Sequence, residues 1–324
     1  MLSLICLGSW ANFFKLTGKR WRFELFYLDF AIGAAVLAVI AAYTLGTSSE
    51  LAFSDRMLVA GRTAQAWVGL GGVVFNFGNM LLVAGVWLLG MSFAFPLAAA
   101  TALVIWCCFH IRANDAVLLT LAILLFILAV VLAGFAASAV RRAKEPSPQR
   151  GRATHGMRRP IKGLIAAIFG GVAIGLSAPI ASNGTDPEYG VGAYGSVFLF
   201  GIGVFISTII FGIYFLNVSI EGPSARAKDY FRGKKRTHVC GLVAGFIFIV
   251  GVLCAALANA APDSAGVNAG VLFAAPLASV ILAFLWGISA WQELCALSGK
   301  GKALLCCGVL AFSGGLAAVA LGLA

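Results

Sequence analysis

Two asparagines, Asn76 and Asn79, stand three positions apart in an otherwise apolar run, so on a helix they share one face. Each amide offers two donors and a carbonyl acceptor. At hydrocarbon depth an unpaired polar group costs about 2–7 kcal/mol. Such a pair therefore either replaces the water around a polar solute or hydrogen-bonds a neighbouring helix, and both roles stay open. Asn12 carries the same two readings. Trp10 offers a flat face on which a planar polar ligand could stack, whereas Trp67 and Trp291, at helix ends, read as interface anchors. Lys15, Glu24 and Asp29 are the ionisable residues nearest the first helices. Glu24 is placed to pair with Lys15 or Arg22 as a gate. Asp29 reads either as a carboxylate in the first turn of its helix, favoured by the helix dipole, or as an intramembrane acid with a gating or coupling role. Glu293 is expected at the surface. Pro96 and Pro276 occur in related contexts, as inexpensive helix starts or as hinges.

Other chemistry is thinly represented. None of the eight cysteines forms a C-x-x-C pair, and the three histidines do not cluster with them, so neither a metal centre nor a cofactor is expected. The acids are scattered and no histidine pair or nucleophile–base pair stands out, so an enzyme is not expected.

The elements that would position these residues are apolar helices. The chain is 324 residues long, 61% hydrophobic and 11% charged, where a soluble domain carries roughly 25% charged residues. Charges gather between runs near the ~20 residues that a helix needs to cross ~30 Å of hydrocarbon. Glycine makes up 39 positions, which suits closely approaching helices. The alternating strands of a spanning barrel are absent. Spans are predicted near 26–45, 65–89, 93–110, 116–140, 161–180, 195–220, 239–260, 267–290 and 302–323. A further run at 2–14 is too short to cross and reads as the second half of a spanning helix. It is either a true half-helix or the product of a start placed inside the gene, and it lacks the basic region and cleavage site of a signal peptide.

The expected fold class is thus an all-α integral membrane protein with ten transmembrane helices, the first shortened. Residues 1–140 would form one five-helix set, 141–160 a basic proline-containing linker, and 161–324 a second set. Phe93-Ala94-Phe95-Pro96-Leu97-Ala98 returns 180 positions later as Phe273-Ala274-Ala275-Pro276-Leu277-Ala278, and Gly245 to Gly251 echoes the helix of Asn76 and Asn79. An odd number of spans per repeat makes related halves insert upside down relative to each other, a 5 + 5 inverted repeat.

The net charge of +11 fits topology better than nucleic-acid binding, which is not expected. With the inter-helix loops numbered one to nine, the odd loops hold 20 of the 23 lysines and arginines. The even loops hold Arg56, Arg62 and Arg112. This bias predicts a multi-pass protein of the cell (inner or plasma) membrane, with odd-numbered loops in the cytoplasm.

The segment Gly8-Ser9-Trp10-Ala11-Asn12, then Lys15, then Trp21-Arg22-Phe23-Glu24-Leu25-Phe26-Tyr27, resembles the start of the glucose/ribose and rhamnose porters and the ureide permeases of the drug/metabolite transporter superfamily. The Phe75-Asn76-x-Gly78-Asn79 stretch, the Phe-x-x-Pro of the fourth and ninth spans, and Tyr230-Phe231-Arg232-Gly233 with His238 and Gly241 are also similar. The likeness covers nearly the whole chain, and no single motif in it is highly specific. It implies a ten-helix carrier with a central cavity and a small, polar, mostly neutral solute such as a sugar, nucleobase or ureide, often driven by an ion gradient. The shortened first helix departs from that pattern. The expected function is a secondary transporter in the lipid bilayer working by alternating access, with proton or cation coupling left open. A non-catalytic membrane scaffold or sensor is the alternative, and an integral membrane enzyme a further one.

Overall fold

The structure, a computed structural model, describes the chain except residues 19–20, 49–50, 112–114, 145–159, 187, 219, 221–225, 261–268 and 324. Most of the expected linker 141–160 and the basic residues Lys19, Arg20 and Arg112 therefore lie outside the described residues.

Helices build the molecule: α1 (Leu2–Ser9), α2 (Ala11–Leu16), α3 (Phe23–Thr44), α4 (Phe53–Leu89), α5 (Met91–His110), α6 (Ala116–Lys144), α7 (Pro160–Ser182), α8 (Gly192–Asn217), α9 (Ala227–Phe231), α10 (Lys235–Asn259), α11 (Ala269–Leu277), α12 (Ser279–Ser289) and α13 (Gly299–Gly322). Among the described residues, nine helical segments are long and apolar enough to cross a membrane, and Leu2–Leu16 is a shorter apolar one. A helix satisfies its own backbone donors and acceptors, which hydrocarbon demands. Outward faces stay apolar, as at Leu121, Leu124 and Phe135 on α6 and Ile206, Ile210 and Ile213 on α8. The fold is that of a multi-pass, all-α membrane protein.

Three elements depart from the sequence expectation. Residues 53–60, expected in a loop, are helical and join the following span across Gly61 at φ 68°, ψ 169°, a backbone that glycine adopts at little cost. Their mixed charges hide the apolar pattern. The ninth span is interrupted by a one-residue turn at Ala278, two residues past Pro276, where the Ala278 N–H still bonds the Ala274 carbonyl at 3.1 Å. Pro96 stands at the sixth position of α5, which continues unbroken through it. A short helix, α9, lies in the seventh loop.

Contacts sort the turns onto two ends. Lys15 in the last turn of α2 meets Glu293 after α12, and Glu293 meets the start of α5. Lys162 at the start of α7 bonds the carbonyl of Ile220 beyond α8. The odd loops thus share one end. At the other, Gly46 lies against Tyr194, Gly184 lies against Ala64, and the Asp115 N–H reaches the Gly322 carbonyl at 3.4 Å.

Several helix contacts have a counterpart when each span is exchanged for the one five spans later. The contact of α3 with α10 has a counterpart in α8 with α4. That of α4 with α7 matches α10 with α1, α5 with α7 matches α12 with α1, and α5 with α6 matches α11 with α13. The contacts of α4 with α7, α5 with α7 and α5 with α6 are more extensive than their counterparts, and those of α6 with α7 and α5 with α13 have none of comparable extent. Individual residues follow the same exchange. Gly72 on α4 faces the Phe200 carbonyl of α8, and Gly245 on α10 faces the Phe30 carbonyl of α3. Gly203 faces the Gly69 carbonyl, and Gly33 faces that of Leu242. At each, a Cβ would strike a neighbouring backbone, so the helices cross at glycine distance.

Candidate functional site

Phe75 and Phe248, from the two exchange-related helices α4 and α10, stack at 5.6 Å between centroids and 29° between planes. Phe30, Phe200, Phe95 and Trp10 surround them. Trp10, at the junction of α1 and α2, is 2% exposed, with ring centroids 4.9 Å from Phe30, 5.7 Å from Phe248 and 6.1 Å from Phe95. The centre of the bundle is therefore aromatic, and Trp10 is part of it.

Asn76 and Asn79 border this centre, both essentially unexposed. The Asn79 amide donates to the Tyr27 phenol on α3 at 2.9 Å, and Tyr27 packs on Phe30 at 4.9 Å. The Asn76 amide donates to Ser207 Oγ at 2.8 Å and Thr208 Oγ1 at 3.0 Å on α8. Those two hydroxyls donate to the carbonyls of Gly203 and Val204. Their protons are committed, so they accept from Asn76, which fixes which way its amide points. The Asn76 Oδ1 is left buried with no hydrogen-bond partner, a cost of about 1–3 kcal/mol. The amide nitrogens tie helices together, and one acceptor remains unused. Asn12 tethers the end of α12: its Oδ1 accepts from Trp291 Nε1 at 2.7 Å, and its Nδ2 donates to the Ser9 carbonyl at 3.0 Å. Trp291, partly buried, thus links the end of α12 to the first helix pair.

The ionisable residues gather at the odd-loop end. Lys15 pairs with Glu293 and stands 5.2 Å from the centre of the Trp291 ring. Glu293 also accepts from the N–H groups of Met91 at 2.9 Å and Ser92 at 2.7 Å. These are orphan donors of the first turn of α5, and the charge is favoured there by the helix dipole. The expectation that Glu293 lies at the surface is corrected, since its side chain is 10% exposed. Three donors from two elements draw it inward. Gly90, at φ 99°, leaves room for it, because a side chain there would strike the carboxylate. Of the two partners expected for Glu24, the structure has Arg22, whose guanidinium makes two bonds at 2.6 and 3.2 Å.

Asp29 is also corrected. Helix α3 begins at Phe23, three residues before the expected start, so Asp29 lies in its second turn and its partners are tertiary. The Tyr230 hydroxyl from α9 donates to Oδ1, and His238 Nδ1 at the start of α10 stands 2.9 Å from Oδ2. Burial, then the hydrogen bond and charge of Asp29, push the Tyr230 phenol above its ordinary pKa, so it keeps its proton and donates. Trp21 packs edge-on against His238 at 5.2 Å.

Sequence reasoning passed over Tyr27, Ser207, Thr208 and the inward role of Glu293. An adjacent Ser-Thr pair inside the apolar run of α8, and a lone acid just after a broken span, were the signals available. Among the described residues, no three His, Cys, Asp or Glu side chains gather as a metal site would need. In comparisons with known proteins, no family model matches the chain and no curated protein matches it.

Proposed function

We propose that this protein is a secondary carrier for a small polar solute, built as a 5 + 5 inverted repeat and working by alternating access. The observation that carries the proposal is the exchange of contacts between helices five spans apart, down to the glycine crossings of α3 on α10 and α8 on α4. Two related bundles meeting at a stacked Phe75–Phe248 pair have two equivalent ways to lean on each other, which is the mechanical requirement of alternating access. The resemblance to the sugar porters and ureide permeases of the drug/metabolite transporter superfamily supports the same reading. So does the charge bias, which argues for odd loops in the cytoplasm.

In this mechanism Asn76 and Asn79 meet the solute with amide donors and acceptors, and Trp10 lines the aromatic centre. Asn12, beside Trp10, is a further solute-binding candidate, held here by Trp291. Lys15 with Glu293, Glu24 with Arg22, and Asp29 form the closed gate at the odd-loop end. Pro276, at the break of the ninth span, is the hinge, and Pro96 is its counterpart in α5. The coupling ion, where one is used, is a proton or a cation.

The test is uptake into proteoliposomes, with sugars, nucleobases and ureides compared as solutes. At least one class accumulates with the wild-type protein and fails to accumulate with Asn79→Ala of unchanged helical content. Uptake unchanged by Asn79→Ala, or no uptake in either orientation for any of the three classes, removes the proposal.

A further inference from the structure

We infer that Asp29, His238 and Tyr230 form a proton-binding latch that locks the odd-loop end shut when it takes up one proton. The inference rests on the carrier reading and adds a named site for the proton.

The geometry is that of a built site. Asp29 belongs to α3, while His238 and Tyr230 belong to α10 and α9, so the three side chains join the two halves of the chain across more than 200 positions. The carboxylate is 3% exposed and the imidazole 24%. Protons from the odd-loop end therefore reach His238, while Asp29 stays shielded behind it. Glycines shape the enclosure: a side chain at Gly241 would strike Asp29, and one at Gly233 would strike Trp21 and His238.

The Tyr230 phenol supplies a hydrogen bond in every protonation state of the cluster. A neutral imidazole with its proton on Nδ1 supplies a second. When a proton from water binds Nε2, an N–H bond forms there and the imidazole becomes a cation facing the carboxylate at 2.9 Å. A hydrogen bond to an anion becomes one between two opposite charges, which adds their direct attraction. When the latch opens, that N–H bond breaks and the proton returns to water at the odd-loop end. By linkage, whatever proton uptake does for closure, closure does for proton affinity.

Surrounding charges do not substitute for this pair. On α3, Glu24 is held by Arg22, and on α2, Lys15 is held by Glu293. The spans of α4 and α8 that pack on α3 bring no Asp, Glu, Lys, Arg or His between residues 63–89 and 192–217. On α9, Asp229 is spent on the Arg226 N–H. Lys234, Lys235 and Arg236 beside His238 are exposed, and Asp29 is the acid in contact with its ring.

Hydrogen exchange on the full chain in lipid nanodiscs tests the latch without any solute, so failure of uptake and failure of the latch are separate results. Amide protection over residues 226–240, corrected for intrinsic exchange, falls in the wild type as pH rises from about 5.5 to about 8, where imidazoles titrate. His238→Gln, which keeps a hydrogen bond but cannot charge, loses this pH dependence. Asp29→Asn loses it as well. Tyr230→Phe lowers protection at every pH and keeps the slope. Protection that is independent of pH in the wild type overturns the inference, and so does a slope in His238→Gln equal to that of the wild type. Should Asp29→Asn fail to fold, the other two variants still decide the matter.

Discussion

The Asn76 carbonyl and the Glu293 carboxylate represent two opposite uses of a buried polar group. Glu293 takes a lysine and two backbone donors, while Asn76 Oδ1 takes none. Removing one partner of a satisfied charged group strands the other, at about 1.5–3 kcal/mol. Lys15→Met and Glu293→Gln should each lower the thermal midpoint in nanodiscs, and the double variant should cost clearly less than their sum, because the two act on one contact. Additive losses would show that the pair is not coupled. Asn76→Leu should behave differently. It removes an unsatisfied acceptor, and the Ser207 and Thr208 hydroxyls keep their own carbonyl partners. Its stability should change by less than about 1 kcal/mol while uptake is lost. A large drop in stability would instead show that its ties to Ser207 and Thr208 are needed to hold the fold. Both asparagines were legible in the sequence, as amides in an apolar run. Their partners were not, because Tyr27 lies 52 positions away and Ser207 131 positions away, and nothing local encodes such a meeting.

At the scale of helices, the crossings are set by glycine. A methyl group at Gly245 would meet the Phe30 carbonyl and the Ala34 backbone nitrogen, and one at Gly72 would meet the Phe200 backbone. Backbone yields less readily than a side chain, so overpacking there should cost about 1–3 kcal/mol. Gly245→Ala and Gly72→Ala should lower the thermal midpoint by similar amounts, since they stand at exchange-related crossings. Gly212 on α8 has nothing within 4 Å of where its Cβ would be. Gly212→Ala should be neutral or stabilising by about 0.5–1 kcal/mol, and a loss there equal to that at Gly245 would mean that crossing distance is not what these substitutions measure. Long spans such as α5 and α13 were readable because twenty apolar residues leave little choice in a membrane. The helical stretch before Gly61, the break at Ala278 and the short α9 were not. Each depends on a single backbone position or on tertiary support, which an apolar pattern does not record.

At the scale of the whole molecule, the positions that obey the exchange and those that break it divide by chemistry. Gly72, Phe75 and Gly78 on α4 share their spacing with Gly245, Phe248 and Gly251 on α10, and both sets pack on exchange-related neighbours. On that alignment Asn76 and Asn79 fall opposite Ile249 and Val252. On these two helices the residues that pack recur at the same spacing, and the two asparagines have apolar counterparts. The proposed inversion then has a direct test in living cells. Reporters that fluoresce only in the cytoplasm, fused after Gly18 and after Ser298, should both be bright, since these turns belong to loops one and nine. A phosphatase active only outside should be active after Gly46 and after Gly184, in loops two and six. The positive-inside bias argues for this result, with 20 of the 23 lysines and arginines in odd loops. The contacts of Lys15 with Glu293 and of Gly46 with Tyr194 require each pair of loops to share a side. Should the reporters after Gly18 and Ser298 disagree, the two halves would not be inverted, and alternating access about the Phe75–Phe248 stack would lose its basis.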